Sequence, residues 1–166
     1  GALPFSFHYA FVRTKFLSVN LTKEVAVYLS LLVIFCIVFI FSMDVNWLDS
    51  VFNMISASTT TGYATISLEN LNPIAFTVMI IAMIIGGCGF STAGGIKIFR
   101  FMQLSKLRHI LDIKSVKISE SDRKDIIVGI IILAVSIIIP LLIATHMASI
   151  GYDFQNAFFD GVSAIT

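Results

Sequence analysis

Residues 56–66 read Ser56-Ala-Ser-Thr-Thr-Thr-Gly-Tyr-Ala-Thr-Ile66, a run of small hydroxyl residues around one glycine. Long stretches free of Asp, Glu, Lys and Arg lie on both sides: 19 residues from Val25 to Met43 and 27 from Asn70 to Ile96. A third such run covers 27 residues from Ile126 to Tyr152. Each reaches the roughly 20 apolar residues that cross about 30 Å of hydrocarbon. With 57% hydrophobic residues, 13% charged and a mean hydropathy of +0.95 over 166 residues, the composition lies beyond that of an ordinary soluble domain. It predicts an all-α integral membrane protein. Between two of its spans sits a polar strip, broken by Gly62, that makes a poor transmembrane helix.

Charge orients the spans. All 11 Lys and Arg fall in two segments, Arg13, Lys15 and Lys23, then Lys97 through Lys124. Residues 43–73 and 147–166 hold only acidic charges: Asp44, Asp49, Glu69, Asp153 and Asp160. Positively charged loops stay on the cytoplasmic side, so 13–23 and 97–124 are expected inside. Residues 25–43 then run outward, 72–96 inward and 126–149 outward. The opening GALPFSFHYAFVR has no signal-peptide pattern.

Two external segments repeat. Asn46-WLDSVFNMISAS-Thr59 and Asp153-FQNAFFDGVSAI-Thr166 align at a constant offset of 107, pairing Trp47 with Phe154, Phe52 with Phe159, Ser56-Ala57 with Ser163-Ala164, and Thr59 with Thr166. Each follows an outward span, starts with a good N-cap residue, and carries aromatic and apolar residues at helical spacing. The first copy leads through the strip into an inward span. A short helix at about 47–57 plus the strip must therefore dip into the membrane and return. Non-helical backbone at that depth is tolerated only inside protein or against a water-filled cavity.

A dehydrated monovalent cation needs several oxygen ligands, and backbone carbonyls supply them without a full charge that would hold the ion too tightly. Gly62 allows the backbone to leave helix and strand geometry. The hydroxyls of Thr59, Thr60 and Thr61 are placed to add oxygens or to hold the strip. The short helix aims the negative end of its dipole at the same place. Thr60-Thr61-Gly62-Tyr63 is similar to the start of the potassium-channel filter TVGYG. SASTTTGYATI, followed by Ile84-Ile-Gly-Gly-Cys-Gly-Phe-Ser-Thr-Ala-Gly-Gly-Ile-Lys-Ile-Phe-Arg-Phe101, resembles the Trk/Ktr/HKT superfamily of potassium transporters on its TrkH-like side.

The resemblance covers essentially the whole chain and roughly a third of a family member. It implies span–pore-loop–span repeats of the potassium-channel-like type, with re-entrant pore helices and a broken inner helix. Residues 1–15 then end a second repeat, with 1–23 leading into the next. Residues 24–108 form a third: span 25–43, pore helix 47–57, filter 59–65 and broken span 72–100. A linker occupies 109–123, and 124–166 begin a fourth repeat with span 126–149 and pore helix 154–165. The filter residues implied are Thr59, Thr60, Thr61, Gly62, Tyr63 and Thr166, with K⁺ as transported ion at Thr60, Thr61 and Gly62. No position here stands in for the basic residue that the family carries in its last span.

Five glycines in the ten residues Gly86–Gly95 make a weak helix, at roughly 1 kcal/mol each relative to Ala. A phosphate loop is excluded, because Lys97 is not followed by Ser or Thr. Small residues of this kind also suit a helix-packing face. The reading favoured is an unwound intramembrane gate of Gly86, Gly87, Gly89, Ser91, Thr92, Gly94 and Gly95, matching the family's gating loop. Beyond it, Phe101, Leu104, Leu107, Ile110 and Leu111 interleave with Lys106, Arg108 and Lys114 at helical intervals. This suits an interfacial helix on anionic lipid or, by resemblance, a dock for a cytoplasmic nucleotide-binding subunit of the TrkA or KtrA type. Resemblance also implies a homodimer of the full-length protein in the plasma membrane. Pro140 is expected to bend the third span. Cys36, Cys88, His8, His109 and His146 are scattered and read as structural or surface residues. No acidic pair or nucleophile–base pair converges, so an enzyme is not expected, nor is a nucleic-acid partner. The function expected is K⁺ uptake, with symport coupling open; the alternative is a non-conducting membrane subunit that uses its small residues to pack helices.

Overall fold

The computed structural model describes residues 1–14, 19–67, 71–102 and 120–166. Six helices are set out in these residues: α1 Phe5–Thr14, α2 Val19–Ser42, α3 Trp47–Ser58, α4 Pro73–Ile85, α5 Glu120–Ser149 and α6 Phe154–Ile165. Among the described residues there is no strand. The amphipathic stretch expected after Lys97 lies outside the described residues from Gln103 onward, as do Lys15, Glu69 and Asn70.

Local sequence accounts for the helix limits. α2 contains neither Gly nor Pro, so nothing in it interrupts the internal hydrogen bonding that an apolar surround requires. α3 and α6 begin on side-chain caps: Asn46 Oδ1 accepts from Leu48 N–H at 3.3 Å, and Asp153 Oδ2 accepts from Asn156 N–H at 3.0 Å. α4 starts with Asn72 as cap and Pro73 in its first turn, where a missing N–H costs nothing. It stops at Gly86, and helical geometry resumes at residue 98. Thirteen residues at 1.5 Å each make α4 about 20 Å long, short of the hydrocarbon thickness.

Two helices are long and apolar enough to cross a membrane, over Lys23–Ser42 and Ile126–Ser149. Only 17% and 22% of their apolar windows are buried within the chain. Such rows of bare Leu, Ile, Val and Phe are incompatible with water and suit lipid or further protein. Helices α2, α3 and α4 pack on one another, α5 packs most extensively on α6, and α4 meets α6. Phe39, Met54, Ala75, Met79, Met83 and Val162 form the shared core of these helices.

Gly161 sets how α6 lies on α5. A Cβ there would sit 3.0 Å from Pro140 Cα and 3.2 Å from its Cβ, so the helices touch backbone to ring. α5 itself runs helical through Pro140. Replacing Gly161 with Val should force the pair apart and destabilise the fold by about 1–3 kcal/mol. A lowered unfolding temperature in detergent is the expected readout, and an unchanged one would contradict this packing.

Candidate functional site

The end of α3 is capped by the strip that follows it. Thr59 N–H donates to Ile55 O at 2.9 Å, Thr60 N–H to Ala57 O at 3.1 Å and Thr61 N–H to Ser56 O at 2.9 Å. The Thr59 hydroxyl donates to Ile55 O at 2.7 Å and lies 2.7 Å from the Thr61 hydroxyl. These bonds satisfy the terminal carbonyls that a helix leaves open. The chain then turns out of helical geometry, with φ of 53° at Thr60 and 82° at Gly62. Glycine occupies the second of these left-handed positions without the Cβ penalty. Among the described residues, the carbonyl oxygens of Thr59, Thr60, Thr61, Gly62 and Tyr63 accept no hydrogen bond. Residues 61–65 are exposed, Tyr63 at 72%.

The glycine segment is a loop closed at its neck. Ile96 N–H donates to Ile84 O at 2.8 Å, Lys97 N–H to Ile85 O at 3.0 Å and Ile98 N–H to Gly87 O at 3.0 Å. Because 86–97 are non-helical, these small residues do not form a helix-packing face. Two charged groups hold the loop. Glu24 Oε1, from α2, accepts Gly89 N–H at 2.5 Å. Lys97 Nζ donates to Ser91 O at 3.1 Å and also to Ala93 O. Gly1 and Ala2 line its other side, their carbonyls accepting from Thr92 and Cys88 N–H at 3.2 and 2.9 Å.

Strip and loop meet at Gly94. Its N–H donates to Thr60 Oγ1 at 2.8 Å, and the place a Cβ would take is occupied by Thr166 O. Any side chain at 94 would therefore displace the end of α6. The C-terminal ends of α3 and α6, each about half a negative charge, converge on this point. A cleft of about 90 Å³ opens beside it, lined among others by Ser56, Thr60, Gly62, Tyr63, Ser163 and Thr166. That is room for several waters. The Ser56 hydroxyl, buried at the cleft, has no partner among the described residues.

Of the residues singled out from sequence, Thr60, Gly94 and Thr166 come into contact. Thr59 and Thr61 turn their hydroxyls to each other, Gly62 and Tyr63 border the cleft, and Gly86 and Gly95 stand at the loop's neck. Gly87, Gly89, Ser91 and Thr92 lie farther along the loop. Four contributors were not picked out: Glu24, Lys97, Asn53 and Tyr28. Tyr28, buried on α2, accepts from the Ser58 hydroxyl at 3.2 Å, beside the start of the strip. Glu24 carried a usable signal, as the last charge before an apolar span. Cys36 and Cys88 are free thiols, and no cluster of metal-ligating residues occurs among the described residues.

Two helices long and apolar enough to cross a membrane, and two capped short helices of which the first leads into an irregular strip, fit a membrane protein. Residues 14–166 match the TrkH family, described as cation transport proteins, and the chain belongs to that family. It is 31% identical, over 98% of its length, to an uncharacterized cation transporter of Methanocaldococcus jannaschii, and 26% identical, over 99%, to the Trk system potassium uptake protein TrkI of Halomonas elongata. It covers 36% and 37% of those two proteins, so it spans about a third of their length. The fold is similar to the crystal structure of the potassium transporter TrkH from Vibrio parahaemolyticus, with a TM-score of 0.66 at 18% identity over 95% of this chain and 38% of that one.

If Glu24 latches the loop, Glu24→Ala should loosen it. A charge-assisted hydrogen bond contributes about 1.5–3 kcal/mol, so local opening should rise about tenfold or more. Cys88, fully buried inside the loop, is the natural reporter once Cys36 is replaced by Ala. Its alkylation by N-ethylmaleimide should accelerate by that factor, and an unchanged rate would show that Glu24 does not hold the loop.

Proposed function

We propose that this chain is part of a K⁺-uptake transporter of the plasma membrane, contributing one complete ion-selecting strip and the start of another. The observation that carries the reading is the conjunction at Gly94: an irregular strip with unengaged carbonyls, two helix C-termini and a glycine loop at one place beside a cleft. Carbonyls of Thr59 to Tyr63 replace part of the ion's water shell, and the negative helix ends favour a cation without a fixed full charge. The threonine hydroxyls act mainly as fasteners, Thr59 and Thr61 on the helix end and Thr60 on the loop.

In this reading α3 and α6 are re-entrant pore helices, and α4 with residues 98–102 is one broken inner span. The glycine loop, seated on Thr60, obstructs the path and moves to open it. Its neck is fixed by backbone bonds, so motion is confined to about residues 88–95. A membrane potential of 100 mV supplies about 2.3 kcal/mol per charge, a roughly 50-fold accumulation, so gated passive uptake is energetically possible. Assembly with further repeats, homodimerisation and a cytoplasmic nucleotide-binding regulator complete the proposal, the last two on family resemblance.

In the complete transporter, Gly62→Ser should cut the preference for K⁺ over Na⁺ by about tenfold or more, a loss of about 1.4 kcal/mol of discrimination. Competition of Na⁺ against Rb⁺ uptake measures it; an unaltered preference would favour a subunit that conducts nothing here. Deleting residues 90–93 should raise basal flux, and unchanged flux would remove the gate.

A further inference from the structure

We infer that Asn53 is a positioning residue for ion selection, setting the register of the strip's carbonyls by clamping its returning leg to α3; this rests on the filter reading above. Asn53 lies in the middle of α3 and is 2% exposed. Its amide is used at both ends. Nδ2 donates to Asp49 O at 2.6 Å and to Thr65 Oγ1 at 2.7 Å, while Oδ1 accepts Thr65 N–H at 3.1 Å. A buried amide is costly unless its donors and acceptors are met, and here Thr65 meets two of the three bonds.

The strip shows why this pair matters. Its outgoing leg, Thr59 to Thr61, is fixed by backbone bonds to α3. Then comes the turn at Gly62. Among the described residues, the N–H groups of Gly62, Tyr63 and Ala64 make no hydrogen bond, and Thr65 is the next bonded position. The carbonyls between are thus held only at their two ends. One end is the helix cap, and the other is Asn53. Releasing that end frees the backbone over the segment whose carbonyl directions decide which ion fits. The intervening side chains offer no substitute, since those of Gly62, Tyr63 and Ala64 make no hydrogen bond among the described residues.

At the repeat offset of 107 the counterpart of Asn53 is Asp160, which is exposed where Asn53 is buried, so the clamp is a feature of α3 and its strip.

The test uses the complete transporter and reads the ratio of apparent affinities for K⁺ and Na⁺ alongside maximal uptake and membrane abundance. A role in folding alone would lower abundance and maximal uptake without moving the ratio. Asn53→Ala should lower the ratio about tenfold. Asn53→Asp keeps both Thr65 contacts, because the Thr65 hydroxyl can turn to donate, but loses the donor to Asp49 O, and should recover part of it. Thr65→Val removes one contact and should give an intermediate loss on a protein whose core is untouched. Asn53→Ala with Thr65→Val should lose no more than Asn53→Ala alone, the non-additivity of one shared interaction. Additive losses, or an unchanged ratio in the Asn53→Ala and Thr65→Val single variants while the unaltered transporter selects K⁺, would overturn the clamp alone. Failure of the unaltered transporter to select K⁺ would remove the filter reading and the clamp together.

Discussion

A polypeptide that leaves helical geometry in an apolar surround must find partners for its N–H and C=O groups or face water with them. This constraint organises the whole chain. α2 and α5 meet it by being unbroken helices. Among the described residues, two irregular segments, 59–67 and 86–97, are placed against each other. The glycine loop resolves its polar groups almost wholly within protein, through its neck, through Glu24 and Lys97, and through the backbone of residues 1 and 2. The strip does so only in part. The N–H groups of Thr59 to Thr61 cap α3, while the carbonyls of Thr59 to Tyr63 accept no hydrogen bond among the described residues.

Charge follows the same logic. Glu24 and Lys97 are the last and first charges bordering apolar runs, and both are drawn onto loop backbone. Their bonds fall on the limbs of the loop, and Gly94 at its far side touches the strip and the end of α6. The loop is held by these polar ties and by its buried Cys88 and Ala93. The small residue at 94 and the small residue at 161 serve one end: they let backbone approach backbone where α6 packs.

Much of this was legible in the sequence because it rests on composition and periodicity. The three charge-free runs mark α2, α4 and α5; the Asn and Asp caps mark the starts of α3 and α6; Gly62 marks the turn. The repeat at an offset of 107 paired α3 with α6, and both are 12-residue helices. Contacts between distant residues were not legible. Asn53 with Thr65, Tyr28 with Ser58 and Glu24 with Gly89 are long-range pairs of ordinary residue types, and nothing periodic announces them. From sequence alone the threonine hydroxyls suit ligands and fasteners equally. Only three-dimensional placement shows that Thr59 and Thr61 bond each other and Thr60 bonds the loop.

The central claim is that main-chain oxygens on either side of Gly62 replace water around a monovalent cation. The most direct test is crystallography of the complete transporter grown in Tl⁺ or Rb⁺, with anomalous scattering locating the ions. The account predicts anomalous density facing the carbonyls of Thr60, Thr61 and Gly62, displaced by excess K⁺ and retained against excess Na⁺. Density absent from that place, while ions appear elsewhere in the membrane region, would contradict it.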